Sequence, residues 1–245
     1  MTKGIVLILG ARSDIGMAVA HIFAKNGYSI QLAARQANTL NEDQSDLILR
    51  YKTGVTVHEF DALDVGSHVE FVDSLPTSPD IVVCAVGYMC EQTDAEQNWE
   101  KSILVMRSNY EGPVSILSAF ANKFESCGFG TLVGISSVAG ERGRANNYMY
   151  GSAKAGFTTF LSGLRNRLSQ SGVHVITVLP GFVDTRMTQN LALPKILTAD
   201  TKEVAKAIFN AVTKKHNIIY SKPIWLIIML IIRLLPEVIF KKMKI

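Results

Sequence analysis

Seven short apolar runs, at residues 5–9, 28–34, 55–60, 81–86, 131–136, 173–179 and 218–220, alternate with segments of helical periodicity. This rhythm limits the fold more than any other feature. An apolar run with no polar alternation suits a strand covered on both faces, and strands separated by helix-length segments require crossovers between parallel neighbours. The expected fold class is α/β, a doubly wound parallel sheet. The chain has 245 residues, 48% hydrophobic and 19% charged, enough to bury one large core. Residues 1–221 read as one domain, and residues 222–245 as a short apolar and basic C-terminal tail.

The first run ends at Gly10, and Gly16 opens the helical segment 17–25. A glycine-bearing turn between strand and helix aims backbone N–H groups at a helix N-terminus, where anions bind. The spacing is not G-x-G-x-x-G, and a tight turn also uses glycine for steric reasons alone. The second run ends at Ala34-Arg35. NAD-specific dinucleotide folds place a carboxylate about 20 residues past the glycine turn. A guanidinium there suits a 2′-phosphate instead, through charge-assisted bonds. Arg12, inside the glycine turn, adds a second positive group. NADP(H) is therefore expected in preference to NAD(H).

The stretch 134–156 reads GISSVAGERGRANNYMYGSAKAG. Tyr150 and Lys154 are four apart, so on a helix they share a face. An ammonium beside a phenol favours phenolate and lowers its pKa from about 10. A tyrosine tuned in this way is a usable general acid or base. Ser137 follows the apolar run 131–136, where a hydroxyl is placed to hold a substrate oxygen against the tyrosine. Taken alone, a Tyr–Lys pair at this spacing is also common on helices without chemistry.

Together with Asn109 and the glycine turn, these residues resemble the short-chain dehydrogenase/reductase family, with its G-x-x-x-G-x-G and Y-x-x-x-K motifs. The resemblance covers about residues 3–220 and implies a Rossmann-type fold. It also implies reduction of a carbonyl by hydride transfer from the nicotinamide C4. Tyr150 then donates the proton, and Lys154 lowers the tyrosine pKa and binds the nicotinamide ribose. Ser137 positions the carbonyl oxygen, and Asn109 holds a water that relays protons to Lys154. Gly10, Arg12, Ser13, Asp14, Ile15 and Gly16 would surround the pyrophosphate. Ala85 and Gly87 would border the cofactor, and Asp64-Val65 would take the adenine, although Asp61 competes for that role. Pro180-Gly181 turns the chain so that the Val183 backbone and the Thr185 hydroxyl hold the nicotinamide carboxamide.

Two departures stand out. Asp14 occupies the middle glycine position, where its carboxylate must turn away from a pyrophosphate or cap the next helix. Cys84-Ala85-Val86-Gly87 stands where the family usually has Asn-Asn-Ala-Gly.

The tail carries Lys222, Arg233, Lys241, Lys242 and Lys244 against Glu237 alone, which accounts for the whole formal net charge of +4. The remaining charges balance, no nucleic-acid partner is expected, and the chain is expected to form a homo-oligomer. Residues 224–232 are apolar all round but too short for a transmembrane helix, which needs about 20 residues. An in-plane interfacial segment fits, with Trp225 at the headgroup level and the lysines drawn to anionic lipid. Burial in a homo-oligomer interface or on the protein's own body is the alternative.

With its Trp…Arg-x-x-Pro…Phe tail, the chain is similar in style to the decaprenylphosphoryl-2-keto-ribose reductases, which implies a lipid-linked keto-sugar. A soluble reductase of a 3-oxoacyl thioester or another ketone is one rival reading, and a non-catalytic dinucleotide sensor is another. The segment 186–201 falls where the family has its substrate lid. Met187, Leu191, Leu193, Ile196 and Leu197 make it apolar. Tyr88, Met89, Arg142, Arg144, Asn146 and Asn147 are placed to line the mouth. Three scattered cysteines read as reduced thiols, and five scattered histidines suggest no metal site. The expected location is cytoplasmic, peripheral to the inner face of the cell membrane.

Overall fold

The computed structural model of the chain describes residues 2–189, 191 and 193–243. Lys244, counted in the tail above, lies outside the described residues. The first half runs β1 (Ile5–Leu9), α1 (Asp14–Lys25), β2 (Ser29–Ala34), α2 (Asn41–Tyr51), β3 (Val55–Glu59), α3 (His68–Ser74) and β4 (Ile81–Cys84). Helices α4 (Gln92–Gln97), α5 (Trp99–Met106) and α6 (Gly112–Cys127) lead to β5 (Gly130–Ile135), α7 (Tyr148–Arg167) and β6 (Val173–Leu179). Two short strands follow, β7 (Phe182–Val183) and β8 (Thr198–Ala199). The chain closes with α8 (Thr201–Thr213), β9 (Ile218–Tyr220), α9 (Ile224–Leu234) and α10 (Glu237–Phe240).

The main sheet has seven strands in the order β3-β2-β1-β4-β5-β6-β9. Every pair is parallel. This is the expected doubly wound Rossmann-type sheet. The apolar runs explain it strand by strand. In β1, Val6 and Ile8 pack among α1, α2 and α8, while Leu7 and Leu9 face the core shared with α3, α6 and α7. Both faces are therefore covered, and neither tolerates polar alternation. The strand order reverses between β1 and β4, and this switch point opens a crevice beyond the carboxyl ends of the strands.

The tail is not detached. On α9, Trp225 and Met229 are buried against Val138 and Leu179, with Ile228 and Ile232 alongside. These four positions follow helical spacing and make one inner stripe. The indole lies on Gly181, where any Cβ would overlap it. Its Nε1 donates to the Leu197 carbonyl at 3.0 Å. The expectation of Trp225 at a headgroup level is thus corrected: the residue anchors α9 to the body. Among the described residues, no helix is long and apolar enough to cross a membrane.

Trp225→Ala should lower unfolding free energy by about 3 kcal/mol, the usual cost of emptying a large buried site. Leu230→Gln, on the opposite and exposed face, should stay within about 0.5 kcal/mol. Urea unfolding of both variants checks this, and equal losses would show that α9 has no buried face.

Candidate active site

A cleft of about 800 Å³ runs along the carboxyl edge of the sheet. Its walls follow the strand order: Arg35 after β2, Gly10 after β1, Ala85 and Gly87 after β4, Ser137 after β5, and Pro180 after β6. At the switch point the two backbones nearly touch. Gly10 has φ +80°, and a Cβ there would stand 3.0 Å from the Ala85 and Val86 backbone. Only glycine gives both the conformation and the clearance. Ser13 caps α1, its Oγ accepting the Gly16 N–H at 3.0 Å. The next N–H groups, of Asp14 and Ile15, begin the helix and have no intrahelical acceptor. They make an anion site of the kind a pyrophosphate uses. Gly16 itself lies beneath the turn rather than on the cleft, since a Cβ there would press on Ser13 Oγ and Gly10 O.

Asp14 does not cap the helix. Its carboxylate is turned to Arg186 at the start of the lid segment, with Oδ1 2.8 Å from Nε and Oδ2 accepting the Arg186 N–H at 2.8 Å. The Arg186 guanidinium also reaches the Arg12 carbonyl. The unfavourable carboxylate is thereby paired and fixed. Arg12 Nη1 donates to the Arg35 carbonyl at 3.2 Å and to Gln36 Oε1 at 3.3 Å, so both guanidinium-bearing residues belong to one corner. Glu59 braces that corner by accepting the N–H groups of Gln36 and Ala37, both at 2.8 Å.

The opposite end of the cleft holds Ser137, Tyr150 and Lys154. Ser137 follows β5 and caps a short 3-10 turn, its Oγ accepting from Ala139 N at 3.1 Å. The turn lies flat on α7 because Gly140 has no side chain. A Cβ there would come within 2.6 Å of Ala155 N. Pro180 O accepts the Val138 N–H at 3.0 Å and tethers the turn to the end of β6. Lys154 is buried and donates from Nζ to Ile135 O at 3.0 Å. Ser136 Oγ bonds the Lys154 carbonyl at 3.0 Å and Thr158 Oγ1 at 2.7 Å, fixing α7 against β5.

Asn109 lies behind the cleft, fully buried in a π-helical turn at Arg107–Glu111 that joins α5 to α6. The wider turn directs the amide inward. Its Nδ2 donates to Val105 O at 2.8 Å and to Tyr88 O at 2.5 Å, and Oδ1 accepts the Tyr88 N–H at 3.3 Å. Asn109 therefore clamps the segment after β4 that carries Gly87. Gly87 is the spacer between Asn109 and Lys154, since a Cβ on it would lie 3.0 Å from Asn109 Oδ1 and 3.7 Å from Lys154 Nζ.

The electrostatics differ from the sequence expectation. Burial pushes the Tyr150 phenol up to about 12, and Ser137 is the group that opposes the rise. The Lys154 Nζ stands 5.7 Å from the Tyr150 ring centroid. Burial also lowers the Lys154 ammonium itself to about 8. Desolvation dominates at both groups, outweighing the Ser137 hydrogen bond at Tyr150 and the Cys84 thiol at Lys154.

Several expected positions are corrected. The cleft wall after β3 is formed by Asp61, Ala62 and Leu63, whereas Asp64 and Val65 lie beyond it in a 3-10 turn. The reason is local: Asp61 Oδ1 accepts the Leu63 N–H at 2.9 Å and bends the chain early. Tyr88 and Met89 line the cleft as expected, but Arg142, Arg144, Asn146 and Asn147 do not. Arg142 turns to the tail, donating to Ile232 O at 2.5 Å and Leu235 O at 2.6 Å at the open C-terminal end of α9. Sequence reasoning missed Thr188. Its hydroxyl donates to Val183 O at 2.6 Å and lies 3.2 Å from Thr185 Oγ1, so it bridges the two groups expected at the nicotinamide amide. Only its place three residues after Thr185 hinted at this.

The buried lysine has a measurable consequence. Its folded pKa, about 8, lies below the ordinary 10.5. Between these values the unfolded chain holds a proton that the folded chain has released, so stability rises with pH across the window. Tyr150 acts the other way above pH 10, because its folded pKa is raised to about 12. Urea unfolding between pH 7.5 and 10 should show the parent chain gaining stability relative to Lys154→Met. A constant difference would mean that Lys154 is not desolvated.

Comparison with known proteins agrees with this geometry. The family model described as short chain dehydrogenase matches residues 4–195. An uncharacterized oxidoreductase of Mycobacterium tuberculosis is 34% identical over 241 residues, covering 97% of this chain and 96% of the relative. Another, from Streptomyces coelicolor, is 31% identical over 242 residues, covering 97% and 95%. Among solved structures, a bulky-bulky ketone specific alcohol dehydrogenase from Comamonas testosteroni superposes with a TM-score of 0.79 at 25% identity, covering 90% of this chain and 87% of that one. A short-chain dehydrogenase from Sphingobium yanoikuyae in complex with NADPH shares the fold, with a TM-score of 0.80 at 24% identity over 88% of this chain and 87% of that one. With its parallel sheet, glycine turn and Ser137–Tyr150–Lys154 cluster, the chain belongs to the short-chain dehydrogenase/reductase family of oxidoreductases.

Proposed function

We propose that the protein is an NADPH-dependent carbonyl reductase that turns a ketone into an alcohol, with Tyr150 as proton donor. The observation that carries this reading is one cleft with Ser137, Tyr150 and Lys154 at one end and Arg12 and Arg35 at the other. The residues fit a dinucleotide. Gly10 and Gly87 leave room for close approach, and the head of α1 offers N–H groups to the pyrophosphate. Arg35 and Arg12 suit a 2′-phosphate. NADPH, when bound, supplies the hydride that the carbonyl carbon receives.

The chain's own residues do the rest. Ser137 Oγ orients the carbonyl oxygen. As the C=O π pair moves to oxygen, the Tyr150 hydroxyl gives it a proton and the alcohol forms. A phenol held protonated far above neutrality is in the correct state for that donation. Lys154 then passes a proton toward the tyrosinate, and its own value near 8 lets it both hold and release one. Asn109 keeps the Gly87–Tyr88 backbone in place and borders the route by which Lys154 is recharged. The substrate we favour is a lipid-linked carbonyl compound such as a polyprenyl-phosphate keto-sugar. The exposed apolar side chains of Met187, Leu191 and Ile196 in the lid segment support a greasy substrate. The alcohol dehydrogenase named above is described as specific for bulky ketones.

Tyr150→Phe should reduce ketone turnover by about a hundred- to ten-thousand-fold, the range of general acid catalysis, with NADPH affinity nearly unchanged. Near-native turnover would remove Tyr150 from the reaction. Arg35→Asp should reverse the ratio of NADPH to NADH efficiency, since a carboxylate repels the 2′-phosphate and accepts ribose hydroxyls. If steady-state kinetics show no change in that ratio, Arg35 does not read the phosphate.

A further inference from the structure

Helix α9 is apolar all round, yet only its Trp225–Met229 stripe is covered. The opposite face exposes Leu226, Ile227, Leu230, Ile231 and Leu234, and α10 continues it with Val238. An ordinary surface helix carries polar residues there. Leu234 is 73% exposed and Val238 67%. Basic residues flank this helix pair: Lys241 and Lys242 follow α10, while Lys222 before α9 and Arg233 in its last turn also meet Glu203 at 3.9 Å and Glu141 at 3.4 Å. The acid in this segment, Glu237, is paired with Arg142 at 3.0 Å.

We propose that this apolar, basic-rimmed face of α9 and α10 docks on the surface of an anionic lipid bilayer, in the plane of the membrane. Apolar insertion and attraction to acidic headgroups act together on such a surface. The charge decides against a second copy of the chain. A twofold interface sets the same patch against itself, which gathers the basic side chains of both copies around one interface whose acid, Glu237, is already paired. An anionic bilayer meets the same rim with opposite sign.

The docked helix is joined to the lid segment through its inner side. Trp225 holds Leu197, Lys222 Nζ reaches Ile196 O at 3.4 Å, and the Ile196 side chain is 80% exposed. Docking of α9 therefore brings the lid segment, and with it the cleft mouth, near the bilayer. The link to a lipid-borne ketone rests on the carbonyl-reductase reading, whereas the docking itself does not.

Flotation of the full chain with phosphatidylcholine vesicles, with and without phosphatidylglycerol, tests the proposal. Binding to the anionic vesicles should exceed binding to the neutral ones at least tenfold and weaken with added salt. Changing Leu226, Ile227, Leu230 and Ile231 together to Asn should lower it at least tenfold. Lys241→Glu with Lys242→Glu, exposed changes that leave the apolar face intact, should cost about fivefold per charge removed. NADPH binding, followed by fluorescence, serves as the check that each variant is folded.

An intact chain that ignores anionic vesicles, or an Asn variant that still floats, overturns the proposal. So does a parent chain that is dimeric without lipid and becomes monomeric in the Asn variant while never binding vesicles; the occupant is then a second copy. Turnover of a soluble ketone is measured separately. Flotation without turnover sinks the reductase reading and leaves docking intact, and turnover without flotation does the reverse.

Discussion

The active end of the cleft is organised around one buried ammonium. Lys154 is 3% exposed, and its Nζ has a carbonyl, Ile135 O, as its hydrogen-bond acceptor. A desolvated cation is costly to hold, and the cost is visible in its lowered pKa. The neighbouring elements exist in the arrangement that keeps this group in place. The Gly140 turn lies against the Lys154 backbone, Ser136 bonds its carbonyl, and Gly87 leaves the gap beside Nζ. Asn109, from a different helix, holds the Gly87–Tyr88 backbone at the required distance. Three segments, 87–88, 109 and 135–140, thus converge on one side chain. The neutral phenol of Tyr150 is a by-product of the same dry setting, and it leaves that group in the form in which a donor is useful.

The sheet was legible because its signal is local. A strand covered on both faces must be largely apolar, and the seven runs carry that signal in three to seven neighbouring residues. The Tyr150–Lys154 pair was legible for a similar reason, since helical spacing alone puts the two on one face. Other features depend on partners that spacing does not reveal. Asp14 and Arg186 are separated by 172 positions, and nothing at either position announces the other. Thr188 acts through groups presented by a turn whose shape depends on β8. Asp61 rather than Asp64 reaches the cleft because one side-chain hydrogen bond bends the chain two residues early. Composition identified the tail as unusual but not its inner stripe, because a helix apolar on every side gives no periodic contrast to show which side is covered.

Asp14 illustrates how a departure from a motif is accommodated. A carboxylate at the head of a helix is favoured by the helix dipole but opposed by any anion bound there. Turning it onto Arg186 settles the conflict and joins the glycine turn to the beginning of the lid segment. The joint lies at the cleft mouth, so the residue that looks like a defect in the binding turn also fixes the neighbouring loop.

The loop between Ser137 and Tyr150 is held from outside as well as from within. Glu141 accepts from Tyr220 at 2.8 Å and meets Arg233 at 3.4 Å, while Arg142 grips the end of α9 and lies 3.7 Å over the Phe240 ring. The last two helices are thus part of the frame of the reaction chamber. A chain cut before α9 would not be the same enzyme lacking an appendage. It would leave the Gly181 backbone uncovered, Val138 and Leu179 facing water, and two charged side chains without their counterparts. Loss of activity after such a cut would report a slackened chamber as readily as a lost attachment. Changes confined to the outer surface of α9 are the ones that keep the two effects apart.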